Sequence, residues 1–185
     1  MLREGDQLDL GPRLGVRGRV VRAPADPSTE PLDIEFVFEG KRRGPPRHLH
    51  PRQSDEFIVI EGHLRVFDGR RWRDLGAQDR LTIPAGTVHT LRNPGREPVR
   101  FVNRHLPAHS FGDTLEELHL LARAGKLDSL SHPRAALHLA LLFSSYPADI
   151  RPPSRVRAAA LTAGASLATR LGYRLPARER SPTTQ

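Results

Sequence analysis

Three histidines and a pair of acids stand in an order that suits a metal ion. His48 and His50 are separated by one residue, and Asp55 and Glu56 follow shortly before an apolar segment. His89 comes later, just after a Pro-x-Gly turn. Residues i and i+2 of an extended chain project from the same face, so the first two imidazoles can reach one ion. Since imidazole and carboxylate bind Zn, Fe, Mn, Ni or Cu, the pattern predicts a divalent transition-metal site.

The composition restricts the chemistry that such a site can use. The 185 residues contain no Cys, which excludes disulfides, thiol catalysis, iron–sulfur clusters and every Cys-based zinc site. No Ser-His or Cys-His nucleophile stands out. Residues 1–15 contain acids and no apolar signal segment, and the longest uncharged runs fall short of the ~20 residues that span a bilayer. We therefore expect a soluble, cytoplasmic protein without a transmembrane segment.

The net charge of +8 does not predict a nucleic-acid partner. Residues 151–185 hold seven arginines and one acid, so most of the excess lies in this part of the chain and the remainder is nearly balanced. The sequence has no zinc finger, basic zipper or aromatic ribonucleoprotein motif. We expect a small-molecule ligand instead.

The first two thirds of the chain alternate between short apolar segments and turns. Turn signals include Gly62, Asp68-Gly69 and Pro84-Ala85-Gly86. Short strands separated by turns at intervals of about 8–12 residues favour an antiparallel sandwich or barrel. The predicted strands are residues 16–22, 32–38, 55–61, 63–67, 71–75, 80–83, 87–92 and 98–104.

The last third has helical periodicity. Asp113 and Glu116 have the spacing of a capping box, and Ser154 follows two prolines as a predicted N-cap. The predicted helices are residues 113–124, 133–145 and 155–171. The third is rich in Arg and suits an anionic membrane surface or a partner, but its apolar face is mostly Ala, which favours packing against the barrel or another subunit. We expect a β-barrel domain over residues 1–106 and a helical extension with a basic, frayed tail over residues 107–185.

Two motifs resemble those of the cupins. The first cupin motif, Gly-x5-His-x-His-x(3–4)-Glu-x6-Gly, resembles the segment from His48 to Gly62. The second, Gly-x5-Pro-x-Gly-x2-His-x3-Asn, resembles the segment from Pro84 to Asn93. Arg42 and Gln78 stand where the two motifs begin with Gly, and both are turn positions. The resemblance covers residues 30–105.

The resemblance implies a mainly β protein: a small antiparallel jelly-roll barrel, here followed by a three-helix C-terminal extension. By this resemblance, the metal-binding histidines of the cupin motifs correspond to His48, His50 and His89. The motif's Glu falls on Asp55, which is one methylene shorter. Glu56 should point to the other face of the strand, although a bulge would exchange the two acids. The acid that is not a ligand, foremost Glu56, is then a candidate general base.

Two classes of function fit these features. The first is an enzyme that uses Fe, Mn, Zn or Ni in a dioxygenase, isomerase or lyase reaction on a small organic molecule. The second is a barrel that binds a metal or small ligand without turnover. Gln53 is a candidate oxygen ligand or substrate contact. We also expect a homodimer in which the N-terminal strand or the helical extension takes part, because uncovered sheet edges pair readily.

The other histidines show no comparable grouping in the sequence. They are His63, His105, His109, His119, His132 and His138.

Overall fold

The computed structural model describes residues 2–127 and 132–176, in which two antiparallel sheets are followed by three helices. The predicted tail beyond residue 176 lies outside the described residues. The strands are β1 (Gln7–Asp9), β2 (Val16–Arg22), β3 (Leu32–Phe38), β4 (Arg42–Arg43), β5 (Ser54–Glu61), β6 (Leu64–Phe67), β7 (Trp72–Leu75), β8 (Arg80–Ile83), β9 (Thr90–Asn93) and β10 (Val99–Leu106). The helices are α1 (Phe111–Arg123), α2 (Pro133–Ser145) and α3 (Arg155–Arg170).

The strands form a jelly roll of two sheets. One sheet has the order β1-β2-β3-β10-β5-β8 and the other has the order β4-β9-β6-β7, and all pairings are antiparallel. Apolar side chains from both sheets share one core, which includes Phe38, Phe57, Leu64 and Val66. The predicted mainly β fold is confirmed. Two short strands, β1 and β4, are additions to the predicted set.

Alternation along β5 decides which side chains face the core. Asp55, Phe57 and Val59 are buried, whereas Glu56 and Ile58 between them are partly exposed. This period of two is the one expected for a strand with a single covered face. The Asp55 carboxylate therefore points inward, and the Glu56 carboxylate points outward.

The turns agree with the sequence signals. Asp68 closes the β6–β7 hairpin, because its carboxylate accepts from the backbone N–H of Arg70 at 2.9 Å and of Arg71 at 2.8 Å. Gly62 has a φ of +85°, a backbone conformation that glycine adopts without steric cost. Gln78 has a φ of +71° at the position where the second motif begins with glycine.

The helices follow the predicted segments, with one correction at the start of α1. α2 has the predicted bounds, and the hydroxyl of Ser154 accepts from the backbone N–H of Arg157 at 3.2 Å, which caps α3. The capping box predicted at Asp113 is wrong: Ser110 is the N-cap and Asp113 lies inside the first turn. Burial of Phe111 against the barrel core extends the helix past this local signal.

α2 and α3 pack closely against each other. A methyl group added to Gly164 would lie 3.2 Å from the Cβ of Ala140. α1 joins this layer to the barrel, since Phe111 and Leu115 belong to the barrel core and Leu121 belongs to the core of the helices. In the part of the chain that the structure describes, the helices are too short or too polar to cross a membrane.

Candidate metal centre

The two histidine segments meet through their backbones. His48 and His89 form an isolated antiparallel bridge, with N···O distances of 3.1 Å from His48 to His89 and 2.8 Å in the reverse direction. Gly86 N also donates to His50 O at 2.7 Å, which places the Pro-x-Gly turn beside the His-x-His segment. The backbone therefore holds the three histidines together without requiring an ion.

The three imidazoles converge. One nitrogen each of His48, His50 and His89 lies within 4.8 Å of the others, and the ring centroids are 4.3–5.1 Å apart. The three residues are 8%, 2% and 1% exposed, respectively. This arrangement is the one that the sequence predicts for a bound transition metal, and it lies inside the barrel rather than on its surface.

Backbone carbonyls fix the tautomer of each ring. His48 Nδ1 lies 2.9 Å from Pro46 O, His89 Nδ1 lies 2.9 Å from Thr87 O, and His50 Nδ1 lies 2.5 Å from Asp149 O. A carbonyl oxygen only accepts, so each neutral ring carries its proton on Nδ1. Each Nε2 then offers a lone pair, which is the state that a metal ligand requires.

Asp55 is the carboxylate that the fold brings to this cluster. Its Oδ2 lies 3.0 Å from His89 Nε2 and 3.9 Å from His50 Nε2. Its Oδ1 accepts from the side-chain amide of Asn103. The shorter side chain therefore reaches the imidazoles from β5 without the bulge that would exchange it with Glu56.

The fourth histidine at the site is one that sequence grouping missed. His105, expected to share no grouping, forms a second candidate group with His50 and Asp55, and its Nε2 lies 3.7 Å from Asp55 Oδ1 and 3.0 Å from Asn103 Oδ1. The register of the sheet explains why His105 belongs to this group, because β10 pairs with β5 so that His105 lies opposite Asp55. Polar Asn103 and His105 on an otherwise apolar face were the signal in the sequence.

Burial and mutual proximity decide the protonation states. Burial lowers the pKa of His48 well below its ordinary value, and the neighbouring imidazoles lower it further. Burial likewise lowers the pKa of His105 to about 3. Burial opposes ionisation of Asp55, but His105, His89 and His50 outweigh it and hold the Asp55 pKa below its usual range. Burial also disfavours charge on His89, yet the adjacent Asp55 raises the His89 pKa.

The other two predicted site residues, Gln53 and Glu56, make contacts of their own. Gln53 is buried, donates through Nε2 to Ala108 O at 2.6 Å, and has no partner for Oε1 among the described residues. Glu56 is turned outward and pairs with Arg104 at 3.3 Å. The structure therefore brings Asp55 and not Glu56 to the imidazoles.

Comparison with known proteins agrees with the motifs. Residues 34–104 match the family model described as "Cupin domain". A 47-residue segment is 45% identical to the uncharacterized protein YdbB of Bacillus subtilis and covers 25% of this chain and 42% of that protein. A 54-residue segment is 30% identical to mannose-1-phosphate guanylyltransferase RfbM of Salmonella typhimurium and covers 29% of this chain and 11% of that protein. The chain thus spans less than half of each curated relative.

Solved structures with a similar arrangement of strands include KdgF from Halomonas sp. The alignment has 20% identity and a TM-score of 0.49, and covers 58% of this chain and 92% of that chain. An RmlC-like cupin from Shewanella frigidimarina aligns with 19% identity and a TM-score of 0.49, and covers 58% and 88%, respectively. The family match and both histidine motifs define residues 34–104 as a cupin domain.

Proposed function

We propose that this cupin domain holds a divalent transition metal and uses it in an enzymatic reaction on a small organic molecule. His48, His50, His89 and Asp55 are the proposed ligands. The observation that carries the proposal is the convergence of three buried imidazoles whose Nδ1 atoms face backbone carbonyls. Their lone pairs and a carboxylate meet at one place, and a cation is the partner that satisfies them together.

Iron, manganese, zinc and nickel all suit this ligand set. When bound, such an ion supplies Lewis-acid polarisation or, for iron and manganese, activation of O₂. Dioxygenase, isomerase and lyase reactions are therefore the reaction classes that we consider. The protein's own contribution is orientation: Asn103 fixes one oxygen of Asp55 and leaves the other toward the imidazoles.

Gln53 is the proposed contact for the organic ligand. Its Nε2 is held by Ala108 O, so the side chain is fixed and its buried Oε1 remains as an acceptor among the described residues. A hydroxyl or amine of the ligand would satisfy that oxygen. Glu56 is not proposed as the general base, because Arg104 holds its carboxylate on the outer face.

The second candidate is a cupin that binds its metal or small ligand without turnover. Burial of the site favours it, since the most exposed of the three histidines is only 8% exposed. An enzyme needs a coordination position that substrate can reach, whereas a binding protein does not.

The test has two steps. Protein purified without added metal is analysed for its metal content, together with the double variant His48→Ala/His50→Ala. The proposal expects about one ion per chain in the wild type and none in the double variant. Stoichiometric metal in the double variant would contradict the assigned centre.

Azide then distinguishes an enzyme from a binding protein. The wild type is loaded with Co²⁺ and its visible absorption is followed as azide is added. A shift shows an open coordination position and supports the enzyme, whereas an unchanged spectrum supports the closed binding protein.

A further inference from the structure

The connection between α2 and α3 returns to the barrel at the candidate centre. We call residues 146–151 the connecting segment. Arg151 and Leu49 form a two-way backbone bridge, with both N···O distances 2.9 Å. Asp149 O accepts from His50 Nδ1, although the two residues are 99 positions apart in the chain. The helical extension thus supplies the group that orients one of the proposed metal ligands.

The side chain of Asp149 is a second, separate observation. The residue is 0% exposed, and neither carboxylate oxygen has a hydrogen-bond partner among the described residues. Burying an ionised carboxylate without a partner is costly, and buried charges are normally paired or bound to a metal. A negative charge on this carboxylate would favour the protonated form of His50 and so raise the His50 pKa, against the larger effect of burial.

Charge balance connects the carboxylate to the centre. Neutral His48, His50 and His89 add no charge, and Asp55 adds one negative charge. A divalent ion held by these four residues would leave one positive charge in a buried site. The buried Asp149 carboxylate, on the residue whose backbone oxygen contacts His50, would balance it.

We propose that Asp149 is a positioning residue of the metal centre and its second negative charge, so that the ion and the helical extension stabilise each other on the barrel. The inference rests on the proposed metal-dependent function. Linkage requires reciprocity: if docking of the connecting segment strengthens metal binding, then metal binding strengthens docking by the same free energy.

Asp149→Asn tests the charge without removing the carbonyl that His50 contacts. The control is Asp74→Asn, which removes the same charge at the surface, where Asp74 pairs with His63 and Arg65. Co²⁺ affinity is measured by titration for the full chain. We expect Asp149→Asn to weaken Co²⁺ binding about 10–100-fold, the range typical of groups that support metal ligands, and Asp74→Asn to leave it unchanged.

Thermal unfolding of the metal-free proteins separates this role from a structural one. Removing a buried carboxylate that has no hydrogen-bond partner among the described residues should leave the Tm of Asp149→Asn unchanged or raise it, even though Co²⁺ binds more weakly. A lower Tm together with weaker binding indicates a structural residue and overturns the proposal. Unchanged Co²⁺ affinity overturns it as well.

Hydrogen exchange tests the coupling. In the wild type, Co²⁺ should slow exchange at the amides of the connecting segment, and in His89→Ala it should not. Co²⁺ that protects the segments around His48 and His89 but not residues 146–151 would show that the extension is uncoupled. A wild type that binds no Co²⁺ contradicts the proposed function itself, which distinguishes that failure from failure at Asp149.

Discussion

At the scale of single residues, the backbone carbonyls decide the chemistry of the site. Pro46, Thr87 and Asp149 each place a carbonyl oxygen against an Nδ1 atom. Each ring is thereby held through Nδ1, which leaves Nε2 as the nitrogen that would bind the proposed ion and limits the reorganisation that binding would need.

His89→Ala removes both a proposed ligand and the imidazole closest to Asp55. We expect Co²⁺ affinity to fall by more than about 100-fold, beyond the effect of changing a supporting group. His63→Ala is the control, because His63 is half-exposed and pairs with Asp74. Calorimetric titration with Co²⁺ measures both, and tight binding by His89→Ala would remove this histidine from the centre.

His105 predicts how the stability of the metal-free protein depends on pH. Burial lowers its pKa to about 3, so the folded protein keeps it neutral while the unfolded chain binds a proton below about 6.5. The free energy of unfolding should therefore fall as pH drops from about 6.5 toward 3, by at most about 1.4 kcal/mol per pH unit for this one group.

His105→Gln tests this dependence. The amide can keep the hydrogen bond to Asn103 Oδ1 but does not titrate, so urea denaturation between pH 6.5 and pH 4 should show a shallower slope than the wild type. Equal slopes in His105→Gln and the wild type would contradict the role assigned to His105.

The sequence predicted the three converging histidines because two motifs place them on neighbouring extended segments. It did not predict His105 or Asp149, since their roles depend on pairing between distant parts of the chain. β10 must lie in register with β5 before His105 faces Asp55, and the connecting segment must fold back before Asp149 meets His50.

At the scale of the elements, one turn carries a conformation that its residue does not favour. Gln78 has a φ of +71°, and its N–H donates to Val59 O at 2.9 Å, which fixes the chain before β8. An L-residue in the left-handed region costs roughly 1–2 kcal/mol. The bond to β5 holds the turn in place in spite of that cost.

Gln78→Gly should therefore stabilise the protein by about 1 kcal/mol, after allowing for the greater freedom of glycine in the unfolded chain. Gln7→Gly is the matched control, because Gln7 lies in β1 and glycine weakens a strand. Urea denaturation measures the difference. A loss of stability in Gln78→Gly would mean that the glutamine side chain contributes more than its backbone conformation costs.

Periodicity located most elements to within a few residues because each strand or helix buries one face. Periodicity and local signals do not locate the start of α1, because a tertiary contact decides where this helix begins. Ser110 becomes the N-cap although its side chain makes no capping hydrogen bond, since the burial of Phe111 outweighs the local preference at Asp113. Such tertiary contacts are not visible in a local pattern.

At the scale of the whole molecule, apolar side chains at the surface of α3 and just beyond its end are the feature that favours self-association. Val156, Leu167 and Leu171 are 80%, 50% and 59% exposed. Exposed apolar residues that lie together are typical of protein interfaces. The homodimer remains a prediction, and this surface is where we expect the helical extension to take part.

Light scattering at micromolar concentration should give the mass of a dimer for the wild type. Leu167→Glu should shift the mass toward the monomer, because a charge would be buried in the interface. Ile60→Glu, on the barrel at a residue that is 37% exposed, is the control and should stay dimeric. A monomeric wild type would contradict the prediction.

The bridge between Leu49 and Arg151 also sets an order of events during synthesis. All four proposed ligands have been translated by residue 89, but the carbonyl that orients His50 belongs to residue 149. Translation proceeds at about 5–20 residues per second, so a nascent chain carries its histidines for several seconds before that carbonyl exists. The barrel can form while the ribosome is still adding the helices, whereas the oriented set of ligands is completed only afterwards. Selection of the proposed ion would therefore wait until the connecting segment has been made.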